Sequence, residues 1–158
     1  MRLDFHSRGA ISNLHVVPQP LLGSSLRDGE VELCVRAVGL NFRDMLNVMG
    51  EYPGDPGPPG SDSTGVVVES GATSRVSVGS MVVGLAIAPL ANVCRASSLL
   101  LAPHPTTLSF EEASTLPVTW STTHEAVKRS NLIGLKRAVL QAAAGGVGIK
   151  AIEYAQWL

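Results

Sequence analysis

The chain has 158 residues, 45% hydrophobic and 16% charged, with 12 Lys plus Arg against 13 Asp plus Glu. That composition excludes a disordered chain, and the charge balance offers no footing for nucleic acid or an anionic membrane surface as partner. No apolar run is long enough to span a bilayer, and the opening Met-Arg-Leu-Asp-Phe-His lacks the apolar core of a secretory signal. Cys34 and Cys94 are far apart in the chain and flanked by apolar residues, which reads as two buried reduced thiols in a cytoplasmic protein.

In chain order, the first clear element is a strand over Glu30–Val38. Val31, Leu33, Val35 and Ala37 face one way and Glu32, Cys34, Arg36 and Val38 the other. A short helix follows over Phe42–Met49, with an apolar stripe of Phe42, Met45, Leu46 and Met49. The segment Gly50–Gly60 is too rich in Gly and Pro to be helix or central strand. Short strands are predicted over Thr64–Glu69, Met81–Ile87 and Ala91–Arg95, separated by turns at Ser70-Gly71 and Val78-Gly79-Ser80, the punctuation of a compact β-barrel or sandwich.

The pattern changes at Ser109, which with Glu112 forms a capping-box signature for a helix carrying Ala113 and Leu116. A second helical stretch runs from about Ser121 to Arg129. The run Ala138–Ala143 reads as a buried strand, and a helix from Gly146 to Leu158 closes the chain. This order gives a fold that mixes β with α/β: a β-rich domain over residues 1–125, then the start of a nucleotide-binding unit over 126–158.

Between the last predicted strand and helix, Ala143-Ala144-Gly145-Gly146-Val147-Gly148 fits the dinucleotide fingerprint, with Ala143 in place of its first glycine. Gly145 would let the backbone approach a pyrophosphate and Gly148 would let helix pack closely on strand, while the first helical amides face the anion. An ordinary glycine-rich turn is the alternative. The acidic or basic residue that reads the adenosine ribose falls about 20 residues beyond such a loop, so the choice between NAD and NADP is not encoded in these residues.

The ordered motifs Gly39-Leu-Asn-Phe-Arg-Asp44, Gly50-Glu-Tyr-Pro-Gly54, Gly60-Ser-Asp-Ser-Thr-Gly65, Thr115-Leu-Pro-Val118 and Ala142-Ala-Ala-Gly-Gly-Val-Gly148 resemble the front half of a zinc-independent medium-chain reductase. The resemblance covers nearly the whole chain and is greatest to the enoyl reductase domains of polyketide synthases. It implies a GroES-like barrel domain followed by the first strand, loop and helix of a truncated Rossmann domain. It also implies NADPH as cofactor, an enoyl thioester on an acyl carrier protein as substrate, and neighbouring synthase domains as partners. By the same resemblance Asn41 sits beside the nicotinamide ribose, and Tyr52 lies near the substrate α-carbon, where protonation occurs. A turn asparagine and an aromatic plug on Pro53 are the respective alternatives.

Thr119 and Thr123 lie where the family lines its cofactor groove, although a helix cap or a solvent-facing position suits either. Asp44 and Arg43 are expected to hold the Asn41 turn through a local ion pair, and His124-Glu125 to be a solvated pair. Zinc-dependent relatives have a cysteine where this chain has Asn41 and a histidine at Ser61, so no metal site of that kind is expected. A complete member of the family is about twice this length. The implied activity is therefore NADPH-dependent reduction of an enoyl double bond, absent from the isolated chain. A stand-alone quinone or alkenal reductase and a non-catalytic remnant module are the alternatives.

Overall fold

A computed structural model describes residues 1–20, 22, 23, 25–130 and 137–157. Its centre is a five-stranded antiparallel sheet in the order β6-β3-β4-β5-β7, built from β3 (Glu30–Gly39), β4 (Asp62–Ser70), β5 (Met81–Leu85), β6 (Val93–Ser97) and β7 (Leu101–Pro103). A separate pair, β1 (Arg2–Phe5) and β2 (Leu14–Val17), precedes it. Leu3 donates its N–H to Leu90 at 2.7 Å, and Asn92 donates to the main-chain oxygen of Met1 at 2.8 Å, which binds this pair to the 86–92 segment.

The alternation read in Glu30–Val38 is real. Val31 and Leu33 are fully buried and pack with Val67, Val82, Ala86, Cys94 and Ala96, and Val35 packs against the edge of this cluster. The opposite face carries Glu32, 3.7 Å from Arg95 across the β3–β6 ladder. Shifts of register between Glu32 and Leu33 and between Val35 and Ala37 increase the twist of β3, as bulges do.

Four helices follow: α1 (Phe42–Met49) between β3 and β4, then α2 (Phe110–Ser114), α3 (Pro117–Ser130) and α4 (Gly146–Trp157). The capping box read at Ser109 is present: its amide donates to Glu112 at 2.8 Å, and Glu112 donates back to the Ser109 hydroxyl at 3.2 Å. The helix predicted to begin near Ser121 starts at Pro117, whose missing N–H and fixed φ suit a first helical position. It runs without a break across residues 125 and 126. No helix among the described residues is long and apolar enough to cross a membrane.

Two expectations fail. The strand predicted over Ala138–Ala143 does not form: residues 137–140 are irregular and 141–144 bend and turn, with Ala142 at φ 51°, which no strand residue adopts. An apolar run becomes a strand only beside a ladder partner, and no described strand lies next to it. The last helix therefore has no sheet beneath it and packs on α3 instead. Tyr154 lies edge-on to Trp120 at 5.9 Å and is hydrogen-bonded through its hydroxyl to His124 Nδ1 at 2.9 Å.

The apolar stripe on α1 also points the wrong way. Phe42 and Met45 are 76% and 48% exposed, whereas Asp44, Asn47 and Val48 are buried. The reason lies in the Gly50–Gly60 segment, whose main chain has no sheet partner and at Pro56, Gly57 and Gly60 is hydrogen-bonded by polar side chains of α1 and the amino-terminal segment.

Leu33→Ala should cost about 2–5 kcal/mol in denaturant unfolding, the range for deleting a buried leucine. The Cys94 thiol, pushed up to about 12 by burial and then by the nearby Glu32 charge, should resist a thiol reagent at about pH 8 in the native chain and react only on unfolding. Labelling of Cys94 at the rate of half-buried Cys34 would contradict this.

Candidate functional site

Gly39 ends β3 against the backbone of α2, where any Cβ would lie 2.2 Å from the carbonyl oxygen of Ser114. The chain then turns through Leu40 into Asn41, the N-cap of α1. Asn41 and Asp44 stand in capping-box positions, and the shortest bonds come from Asp44 and the main chain. Asp44 Oδ2 accepts the Asn41 N–H at 2.9 Å, while the Asp44 amide donates to the Asn41 main-chain oxygen at 2.9 Å. The second Asp44 oxygen accepts the Gly60 N–H at 2.7 Å. One buried carboxylate thus fixes both the start of α1 and the end of the proline-rich segment.

Asp44 therefore does hold the Asn41 turn, but not through an ion pair with Arg43. A helix start offers free amides, which satisfy a buried carboxylate without drawing a guanidinium in from solvent. Arg43 instead donates to the Pro56 carbonyl at 2.9 Å and lies over the Tyr52 ring, 5.4 Å from its centroid. Tyr52 is half-buried just past the carboxyl end of α1 and donates its amide to Leu46 at 3.2 Å. Asn41 and Tyr52 thus flank opposite ends of an eight-residue helix, about 12 Å long.

Below Asn41 lies Asp62, 1% exposed at the start of β4, a residue that motif reading passed over. Its Oδ2 accepts the Val118 N–H at the start of α3 at 3.2 Å, and Ser61 Oγ donates weakly to Oδ1 at 3.4 Å. Burial raises the Asp62 carboxyl above the ordinary range. Asn41, the Val118 amide and Ser61 oppose this, and the nearby Asp44 charge adds to it. The Asn41 Nδ2 atom is buried without a hydrogen bond of normal length.

The glycine turn adjoins α3. A Cβ on Gly146 would meet Thr119 Cγ2 at 3.5 Å, so Thr119 lines the start of α4. Thr119 is half-buried, and its hydroxyl donates to the Thr115 and Leu116 carbonyls at 3.0 Å. Thr123 neither caps a helix nor faces solvent: it is 1% exposed within α3, donating to the Thr119 carbonyl at 2.8 Å. A hydroxyl that satisfies itself on its own helix can be buried at little cost, which periodicity alone does not reveal.

Within the turn, Ala144, Gly145, Gly146 and Val147 are exposed, Ala143 is half-buried and Gly148 is buried. Gly148 is close-packed, since a Cβ there would lie 2.3 Å from the Ala142 oxygen, whereas one on Gly145 would make only ordinary contact at 3.4 Å. The first amides of α4 thus open toward solvent with the positive end of a 12-residue helix behind them, a fit for an anionic diphosphate. Beside Asn41 opens an apolar cavity of about 350 Å³, walled by Leu3, Leu14, Met45, Val48 and Leu90. Tyr52 is not among its walls. His124 and Glu125 do not act as a pair: His124 bonds Tyr154, and Glu125 is 2.6 Å from Arg129.

The alcohol dehydrogenase GroES-like domain model matches residues 27–111. The spectinabilin polyketide synthase system protein NorB of Streptomyces orinoci is 38% identical over 152 residues, which are 95% of this chain and 7% of that protein. Among solved structures, the CurK enoyl reductase superposes with a TM-score of 0.82 at 31% identity, covering 99% of this chain and 51% of its own. A quinone oxidoreductase from Coxiella burnetii gives 0.82 at 25%, covering 99% and 53%. A mycobacterial protein solved with NADPH gives 0.77 at 27%, covering 98% and 48%. The chain thus spans about half the length of these solved chains and a small fraction of the synthase.

Asp44→Ala should expose the Asn41 and Gly60 amides to faster hydrogen exchange together and cost about 1–3 kcal/mol for each amide left buried and unbonded. Faster exchange at only one of them would show that Asp44 does not bridge the two segments.

Proposed function

The chain belongs to the alcohol dehydrogenase GroES-like domain family, and on that footing we propose that it is the front part of a polyketide synthase enoyl reductase, NADPH-dependent and zinc-independent. Residues 1–125 form its substrate domain and 126–158 open its cofactor domain. The observation that carries this reading is a continuous line of contacts. Gly39, two residues before Asn41, pairs with Asp62 across the β3–β4 ladder, Asp62 accepts the Val118 amide, and the next residue, Thr119, adjoins the glycine turn. Similarity to synthase proteins supports the enoyl thioester as substrate and neighbouring synthase domains, with an acyl carrier protein among them, as partners.

The residues fit a dinucleotide at two points. The amides of Gly146 and Val147 at the exposed start of α4 would hold the pyrophosphate, with Ala143, Ala144, Gly145 and Gly148 shaping the turn and Thr119 at its side. Asn41, with its unbonded buried amide nitrogen, would hold the nicotinamide ribose. Thr123 stays inside α3 and supports Thr119 without touching the groove. When bound, the nicotinamide supplies a hydride for the β-carbon of the enoyl thioester. Tyr52 would hold a phenolic proton for the α-carbon, its ring fixed by Arg43. The cavity beside Asn41 is lined mostly by apolar side chains and suits the hydrocarbon part of an acyl chain.

NADPH titration followed by amide chemical shifts should move Gly145–Gly148 and the Asn41 side chain, with no turnover by the 158-residue chain alone. A fusion of this chain to the second half of the CurK enoyl reductase should reduce crotonyl thioester in preference to quinone. Shifts absent from both places would remove the nucleotide site, and preference for quinone would favour a stand-alone reductase.

A further inference from the structure

The central sheet comes apart at one point. β6 pairs with β3 from Glu30 opposite Ser97 to Cys34 opposite Val93, and Val35 extends the contact by donating its N–H to the Asn92 carbonyl at 2.9 Å. Beyond that bond the two chains separate. β3 shifts register between Val35 and Ala37 and follows β4 as far as Gly39. The 90–92 segment turns instead to β1, where Leu3 donates to Leu90, Asn92 donates to Met1, and Arg2 pairs with Ala91 in the antiparallel sense. Over residues 36–38, about 10 Å of chain, β3 therefore has β4 on one side and no strand among the described residues on the other.

A groove of about 500 Å³ opens in this gap. Its apolar walls include Leu3, Val16, Val38 and Leu90, and its charged groups are Arg2 and Arg36, with no carboxylate among the described residues that line it. Arg2 is already committed to Asp4 at 2.7 Å. Arg36 is exposed and has no ion-pair partner among the described residues. An unpaired strand edge offers main-chain donors and acceptors to an extended chain, and the charge beside it decides which chain fits. A second copy paired antiparallel over all three residues would set two Arg36 side chains within about 7 Å along the strand, inside the screening length at physiological salt. That repulsion opposes self-association, whereas a chain carrying a carboxylate there gains an ion pair.

We propose that the gap between β3 and the 90–92 segment is a docking groove for an extended acidic segment of a partner protein. The main chain of that segment adds to the free edge of β3, one carboxylate meets Arg36, and flanking apolar side chains enter between Leu3, Val16, Val38 and Leu90. Neither Asn41 nor the glycine turn lines this groove, so the inference stands apart from the reductase reading.

The test uses the blocked peptide Thr-Val-Glu-Val-Thr, titrated into the isotope-labelled 158-residue chain and followed by amide and methyl chemical shifts. Shifts should centre on residues 36–38 with Leu3, Val16 and Leu90, and added salt should weaken binding. Replacing the peptide's Glu by Lys should weaken it roughly fivefold, the upper range for an exposed ion pair, and in Arg36→Glu the order of the two peptides should reverse. Because Arg36 is exposed, the melting temperature of Arg36→Glu should match wild type, which separates a changed preference from loss of fold. Methylating the amide nitrogens of the peptide's Glu and both valines should abolish binding, since the edge of β3 then meets no donor. No shift at residues 36–38, equal binding of the Glu and Lys peptides, or persistent binding of the methylated peptide would overturn the proposal. So would concentration-dependent shifts at residues 36–38 in the peptide-free chain, which would make the occupant a second copy.

Discussion

The arrangement of this domain depends on how an eleven-residue segment with four glycines and four prolines satisfies its main chain while packed against the protein. Gly50–Gly60 has no ladder partner; its first three amides bond to carbonyls of α1, and its polar groups at Pro56, Gly57 and Gly60 are met by side chains. Asp44 takes the Gly60 amide, Asn47 and Arg8 reach the Gly57 carbonyl, and Arg43 reaches Pro56. Three of these four side chains come from α1. That requirement turns the polar face of the helix inward and leaves Phe42 and Met45 in solvent. Leaving one such buried group unmet costs about 1–3 kcal/mol, comparable with what burying one of those apolar side chains contributes.

The same requirement sets the site. With Asp44 committed to two main-chain amides, the N-cap of α1 is rigid, and Asn41 stands at a fixed place above β4. The start of β4 supplies Asp62, and Asp62 reaches α3. The start of β4 and the start of α3 are therefore joined by a buried carboxylate that accepts the Val118 amide. Such a junction costs desolvation, which appears as the raised Asp62 pKa. Its benefit is a fixed junction: an apolar residue there would leave the Val118 amide unbonded.

How much of this was legible depended on whether the deciding partner was local. The alternation of Glu30–Val38 and the capping box of Ser109 and Glu112 are settled within a few residues, and both were readable. The exposed face of α1 was not, because the polar groups it satisfies lie beyond its own end. The apolar run Ala138–Ala143 shows the same limit from the other side: its composition suits a strand, but strands are made by neighbours. β1 and β2 escaped notice because four-residue segments with charges and histidines carry no period, and they form by pairing with each other and bonding to the 86–92 segment. Asn41 and Tyr52 came from resemblance to a family, and Asp62 came from the structure alone.

The two proposed cofactor contacts differ in how they are supported. Asn41 is held at the N-cap of α1 by the Asp44 carboxylate, so its geometry precedes any cofactor. The glycine turn rests on contact with Thr119 and on the aromatic packing of α4 against α3. An anion at the start of α4 would add favourable interaction with its dipole where no strand now braces the turn. Binding energy should therefore order the turn more than the asparagine. The N-cap of α1 acts as the fixed reference, and the glycine turn is the part that the ligand brings into register.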